Sequence, residues 1–196
     1  NGDWRTRKIF LADNYIKAMD GQKNAQYDYA GDFATLSDNV VHALPNAMSA
    51  RRIYYDPAPD RQFAYGINQS LIPAGNGYYQ TVPRTQPESW RIADVAQANS
   101  ATIQALSGGA GLVAYNGHSN HFYYAKTEDL RNTPAKDGWL LNSSEVSLLA
   151  NQNKPFVMLS MTCYTSQFVK PTSNGTIDEW LIRAKNAGAI AVWGPT

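Results

Sequence analysis

Hydrophobic and polar positions along the chain change in blocks rather than residue by residue. Five short apolar runs stand out: KIFLA (8–12), RRIYY (51–55), GLVAYN (111–116), PFVML (155–159) and AIAVW (189–193). Continuous runs of this length, rich in β-branched, aromatic or aliphatic residues, predict strands buried on both faces. Between them the apolar positions take helical spacing: Phe33, Leu36, Val40 and Leu44; Ile92, Val95, Ile103 and Leu106; Val146 and Leu149; Ile177, Trp180, Leu181 and Ala184. Thr176 and Glu179 form a T-x-x-E capping box at the head of the last helix, and Gly188 supplies its stop. Gly108 and Gly109 punctuate an earlier helix-to-strand junction in the same way. Alternating strand and helix predict an α/β fold with a mostly parallel sheet covered by helices on both faces.

Residues 57–90 fit neither pattern. They hold Pro57, Pro59, Pro73, Pro83 and Pro87 and the turn-rich stretch IPAGNGYYQ. The segment is too long for a plain connection. It predicts an ordered insertion, with a hairpin around Gly75 to Gly77, lying over the sheet edge or the site. No internal repeat or low-complexity tract interrupts the rest, so residues 1–196 read as one domain.

Composition narrows the function classes. With 43% hydrophobic residues the chain can bury a sizeable core without disulfide staples. Its 17 basic and 16 acidic residues form no basic stripe, which argues against nucleic acid or an anionic membrane face as partner. No apolar run approaches the roughly 18 residues of a membrane span, and no charged-then-apolar leader opens the chain. The polar but weakly charged composition is one often met in exported bacterial proteins. The chain opens at NGDW and closes at VWGPT, directly after an apolar run, so we expect it to be a piece of something longer.

In parallel α/β sheets, ligands bind at the carboxyl ends of the strands. Three such ends carry reactive groups. KIFLA is followed by Asp13 and Asn14, GLVAYN by Gly117, His118, Ser119, Asn120 and His121, and PFVML by Ser160, Met161, Thr162 and Cys163. If those strands are neighbours, His118 and Cys163 face each other across the crevice. A thiol beside an imidazole can lose its proton at neutral pH, and the thiolate attacks a carbonyl carbon. The oxygen that becomes negative needs N–H donors, and the main-chain amides of Cys163 and Ser119 are the candidates. The competing reading makes Cys163, the single cysteine, a buried small hydrophobe, and His118 a polar loop residue bonded to the backbone. His42 falls on the polar side of the first helix and reads as a solvated residue. His118, His121 and Cys163 could also form a zinc site, but no fourth ligand completes it.

The blocks Tyr-Asn-Gly-His-Ser (115–119) and Ser-Met-Thr-Cys-Tyr-Thr (160–165) resemble the two catalytic blocks of gingipain-type cysteine peptidases, part of the caspase-like group. The closing segment IDEWLIRAKNAGAIAVWGPT and the opening KIFLADN and RRIYYDP are similar as well, so the resemblance covers about residues 7–196, loosely over 57–90. It implies a caspase-like three-layer sandwich and an endopeptidase with a His118–Cys163 dyad and a thioester acyl-enzyme. It also implies protein or peptide substrates and a secreted or cell-surface location in a bacterium. Where the family usually carries glycine, this chain has Ser119, which implies an altered direction of the oxyanion N–H and a lower activity or a different substrate. An acidic group after the first strand orients the histidine in some members; Asp13 is the candidate here, with Asn14 an alternative. A second acidic residue holds a basic P1 side chain, for which Asp32, and after it Asp28, is the candidate; an aspartate at a helix start also serves as an N-terminal cap. No cofactor is implied beyond structural calcium, and no calcium-loop pattern is present. Two alternatives remain: an idle caspase-like module of a large surface protein, and a transpeptidase of surface attachment using the same dyad.

Overall fold

The structure, a computed structural model, describes residues 3–13, 16–17, 26–27, 33–56, 90–125, 138–169 and 175–196. The expected insertion therefore lies, apart from Trp90, outside the described residues, as do Asn14, Asp28 and Asp32.

All five apolar runs form strands of one six-stranded sheet. They are β1 (Arg7–Ala12), β4 (Ser49–Tyr55), β6 (Leu112–Asn116), β10 (Phe156–Met161) and β11 (Ala189–Trp193). A two-residue strand, β5 (Arg91–Ile92), completes the sheet in the order β11-β10-β6-β1-β4-β5, with every neighbouring pair parallel. The chain starts in the middle, at β1, builds outward to β4 and β5 on one side, then crosses to β6, β10 and β11 on the other. The strand order thus reverses between β1 and β6, and such a reversal opens a crevice at the carboxyl ends of the two strands.

Successive side chains of a strand point to opposite faces, and β1 feeds both layers of the core accordingly. Ile9 and Leu11 join Ile53, Val113, Tyr115 and Met158 under α2 (Val95–Ser107) and α3 (Ile177–Arg183). Phe10 and Ala12 join Tyr54, Ala114 and the first turn of α1 (Phe33–His42) on the other face. Helices on both faces explain why the central strands β1 and β6 read as unbroken apolar runs rather than as alternating ones. The edge strand β11 departs from that expectation, with Ile190 and Trp193 exposed.

The last helix begins as expected: Thr176 N–H donates to Glu179 Oε2 at 2.6 Å and Glu179 N–H to Thr176 Oγ1 at 3.3 Å. It ends at Arg183, five residues before Gly188. Asn151 clamps that residue instead, accepting its N–H and donating to its carbonyl, both at 2.8 Å. Gly188 sits at φ +81°, and a Cβ there would lie 2.1 Å from Leu181 O, so only glycine fits the turn. Two other expectations are corrected. Ile92 belongs to β5, because Asp94 caps α2 by accepting Gln97 N–H at 2.8 Å. Val146 lies within a 3₁₀ segment, Ser143–Leu148, and Leu149 caps its end, while Asn142 and Glu145 open it with a second capping box.

Two small antiparallel ribbons complete the described chain. Strands β2 (Ile16–Lys17) and β3 (Gln26–Tyr27) pair with each other. Strands β7 (Ser119–Asn120), β8 (Tyr123–Tyr124) and β9 (Leu141–Asn142) make a three-stranded ribbon directly after the end of β6.

Candidate active site

Strands β1, β6 and β10 are consecutive neighbours, and their registers end together: Ala12 lies opposite Asn116, and Asn116 opposite Met161. The residues that follow therefore leave the sheet side by side. Asp13 N–H donates to Asn116 O at 3.0 Å, and Gly117 N–H to Met161 O at 3.4 Å. These bonds bring Asp13, His118 and Cys163 to one rim of the sheet, at the crevice where the strand order reverses.

His118 is held through its main chain on both sides. Its N–H donates to Asp13 Oδ2 at 3.3 Å. Its carbonyl accepts the Ala125 N–H at 2.9 Å and the Tyr115 hydroxyl. The ring meets Phe33, the first residue of α1, edge to face with centroids 5.4 Å apart. Asp13 is buried, so its carboxylate reaches the histidine from below through the backbone. Its charge and the burial of the ring push the Tyr115 phenol well above its ordinary range, burial being the larger cause.

The turn that delivers His118 demands Gly117. This residue has φ +154°, and a Cβ on it would lie 2.3 Å from Asp13 Cβ and 2.6 Å from the Tyr115 hydroxyl. The glycine lets the carboxylate and the phenol close in on the loop from two sides.

Cys163 is exposed, on the loop that follows β10. Its packing is thus not that of a core residue. The loop is stitched to the His118 loop by hydroxyls. Thr162 Oγ1 lies 2.6 Å from Gly117 O and 2.6 Å from Ser119 Oγ. Cys163 N–H donates to Ser119 Oγ at 3.0 Å, and the same hydroxyl contacts Cys163 O. The ladder between β7 and β8 runs from Ala125 N–H to His118 O, which makes Ser119 and Tyr124 a non-hydrogen-bonded pair. The Ser119 N–H therefore points away from β8.

A buried polar cluster lies beneath this loop. Asp178, fully buried in the first turn of α3, accepts from the hydroxyls of Tyr124 and Ser160 on Oδ1 and of Ser166 on Oδ2, the serines at 3.0 and 2.5 Å. Its own N–H donates to Thr165 O at 3.4 Å. Burial, and after it the Asp178 charge, raises the Tyr124 phenol well above its ordinary range. Three hydroxyls drawn from β8, β10 and the loop after Cys163 thus share one carboxylate.

The other histidines stand apart from this arrangement. His121 Nε2 hydrogen-bonds Gln167 Oε1 at 2.8 Å, and its ring stacks on Tyr164 at 5.5 Å. His42 is exposed at the end of α1, with Nδ1 2.9 Å from Asp38 O. Among the described residues no three His, Cys, Asp or Glu side chains converge as metal ligands. Sequence reading singled out Asp13, His118, Ser119 and Cys163, which come together here. It gave no role in the site to Tyr115, Thr162, Phe33 or Asp178. Thr162 next to the cysteine and Tyr115 three residues before His118 stood as visible cues; Phe33 and Asp178 reach the site only through tertiary contacts.

A parallel sheet with helices on both faces and reactive loops at its switch point is the caspase-like α/β architecture. Solved structures bear this out. The chain is similar to the Arg-specific cysteine proteinase gingipain R (RgpB), with a TM-score of 0.54 and 15% identity over 97% of this chain and 32% of that one. It is equally similar to the complex of the RgpB pro- and mature domains of Porphyromonas gingivalis, with a TM-score of 0.53, 14% identity and the same coverage, 97% and 32%. The chain thus spans about a third of the gingipain chains it matches. No curated protein matches it in sequence. The model of peptidase family C25 matches residues 1–196, and the chain belongs to that family, the gingipain family of cysteine peptidases.

Proposed function

We propose that this chain carries the catalytic dyad of a cysteine endopeptidase, with Cys163 as nucleophile and His118 as general base. What supports the reading is one observation: β6 and β10 are adjacent parallel strands whose following loops, bearing His118 and an exposed Cys163, are hydrogen-bonded to each other. In this mechanism His118 takes the thiol proton, and the sulfur attacks the substrate carbonyl carbon while the carbonyl electron pair moves to oxygen. The N–H groups of Cys163 and Ser119 stabilise that oxyanion. Collapse breaks the C–N bond, and the proton held by His118 goes to the leaving amine. Water, deprotonated by the same imidazole, then hydrolyses the thioester and restores the thiol. Asp13 is the positioning residue, holding the His118 main chain from the neighbouring strand.

For substrate choice we assign a basic P1 residue held by Asp32, which precedes α1 in sequence; the similar gingipain R is itself described as Arg-specific. Peptide amides with Arg, Lys, Asp or Leu at P1 test this, and a preference for Asp or Leu discards Asp32. We assign the protein to the outside of a bacterial cell on family membership. Among the described residues no helix is long and apolar enough to cross a membrane.

The dyad is tested by the rate at which iodoacetamide labels Cys163 at about pH 6 and about pH 8. We expect rapid labelling that persists at the lower pH and falls about tenfold or more in His118→Ala. Slow labelling, indifferent to that substitution, would return the idle binding module as the better reading.

A further inference from the structure

The Cys163 N–H is one of the two donors that acyl transfer needs for the substrate oxyanion. In this structure that donor is engaged, because it points at Ser119 Oγ at 3.0 Å. Two hydroxyl protons serve the oxygens around it. In one arrangement Thr162 donates to Gly117 O and Ser119 donates to Thr162; in the other, Thr162 donates to Ser119 and Ser119 donates to Cys163 O. In both, Ser119 Oγ keeps a lone pair on the Cys163 amide and directs its own proton elsewhere.

We propose, resting on the peptidase reading above, that the Ser119 hydroxyl is a built-in occupant of the oxyanion site. It holds the Cys163 N–H in place of the substrate oxygen and rotates away before acylation. The main chain of Ser119 is fixed by its pairing with Tyr124, so the hydroxyl leaves by rotation about χ1 while the Ser119 N–H stays in place. Only hydrogen bonds change at this residue. Two donors then converge on the substrate oxygen, and the single Thr162 hydroxyl proton goes to Gly117 O. A side chain with no hydroxyl leaves the Cys163 amide ready for substrate, which makes Ser119 a brake on the first chemical step.

The test is Ser119→Ala, which keeps the Cβ and the backbone and removes only the hydroxyl. Three rates are compared with wild type: hydrogen exchange of the Cys163 amide, acylation of Cys163 by a peptide ester followed by mass, and alkylation of Cys163 by iodoacetamide. Exchange should accelerate in the variant. Acylation should rise about 3- to 10-fold, the worth of one net hydrogen bond. Alkylation should not change, because displacement at a saturated carbon forms no oxyanion. Ser119→Gly should match or exceed the alanine variant in both gains. Equal exchange rates in wild type and Ser119→Ala would overturn the proposal, as would equal or slower acylation in the variant, which would mean that the hydroxyl donates to the oxyanion. Failure of the peptidase reading looks different: no form is acylated while iodoacetamide still labels Cys163, and the exchange rates alone then decide whether Ser119 holds the amide.

Discussion

At the scale of single residues the site depends on backbone geometry as much as on reactive side chains. Gly117 turns the chain between the last residue of β6 and His118 with φ +154°, in contact with Asp13 and Tyr115. In Gly117→Ala the new methyl must displace Asp13 Cβ or the Tyr115 hydroxyl, and the backbone adopts a region closed to alanine. We expect a stability loss of about 1–3 kcal/mol from the strained backbone alone, read as a lower urea midpoint. Slower alkylation of Cys163 should accompany it, since the shifted loop carries His118 with it. A variant with the wild-type midpoint and labelling rate would remove Gly117 from the design. The residues that bear reactive groups were legible in the sequence because each follows an apolar strand run, and strand ends are where such folds place chemistry. Thr162 and Tyr115 were not. Thr162 matters because its hydroxyl spans two loops 45 residues apart in sequence, and the Tyr115 hydroxyl matters because it bonds the His118 carbonyl of the turn that comes after it. Neither bond follows from nearness in sequence alone.

At the scale of elements, one buried carboxylate ties three separate pieces of chain together under the cysteine loop. Asp178 in α3 accepts hydroxyls from β8, from β10 and from the loop at Ser166. In Asp178→Ala all three hydroxyls lose a buried acceptor, but Tyr124 and Ser160, 3.0 Å apart, can still bond each other, which leaves two orphaned groups at about 1–3 kcal/mol each. We therefore expect a total loss of about 2 kcal/mol or more, with Asp178→Asn milder because its amide oxygen still accepts. A loss below about 1 kcal/mol in the alanine variant, measured by urea unfolding, would show that the cluster contributes little. The elements themselves were largely written locally. The two capping boxes, Thr176 with Glu179 and Asn142 with Glu145, both carry an acceptor followed three residues later by glutamate, although only the first was read. Ile92 was misplaced because an isolated isoleucine near Val95 fits helical spacing as well as a two-residue strand, and only pairing with β4 decides between them. The β7–β8–β9 ribbon escaped notice for the same reason: strands of two residues have no periodicity to detect.

At the scale of the whole molecule, the two core layers meet across a sheet whose strands β4 and β6 carry the fully buried Tyr54 and Tyr115, and the adjoining ribbon adds a third, Tyr124 of β8. Burial is the leading cause in each case, and it raises all three phenols above the ordinary value of 10.0. Nearby carboxylates, Asp38, Asp13 and Asp178 respectively, push in the same direction. The sign follows from proton counts. Below the unfolded value both states keep these protons, and the stabilisation is fully present. As pH rises past about 10 the unfolded chain releases them while the fold retains them, so the unfolded state is favoured. Each tyrosine then removes about 1.4 kcal/mol of stability per pH unit, and the three together about 4 kcal/mol. We expect unfolding free energy to fall steeply above about pH 10, with the last part of the tyrosinate absorbance, that of these three among twelve tyrosines, rising in step with loss of helical circular dichroism. Tyr124→Phe removes one of the three titrations and leaves Asp178 two hydroxyl donors, so its stability should fall less steeply with alkali by about one third. Tyrosinate absorbance that completes while the helical signal is intact would mean that the phenols ionise within the fold, and the coupling of the core to these protons would be refuted.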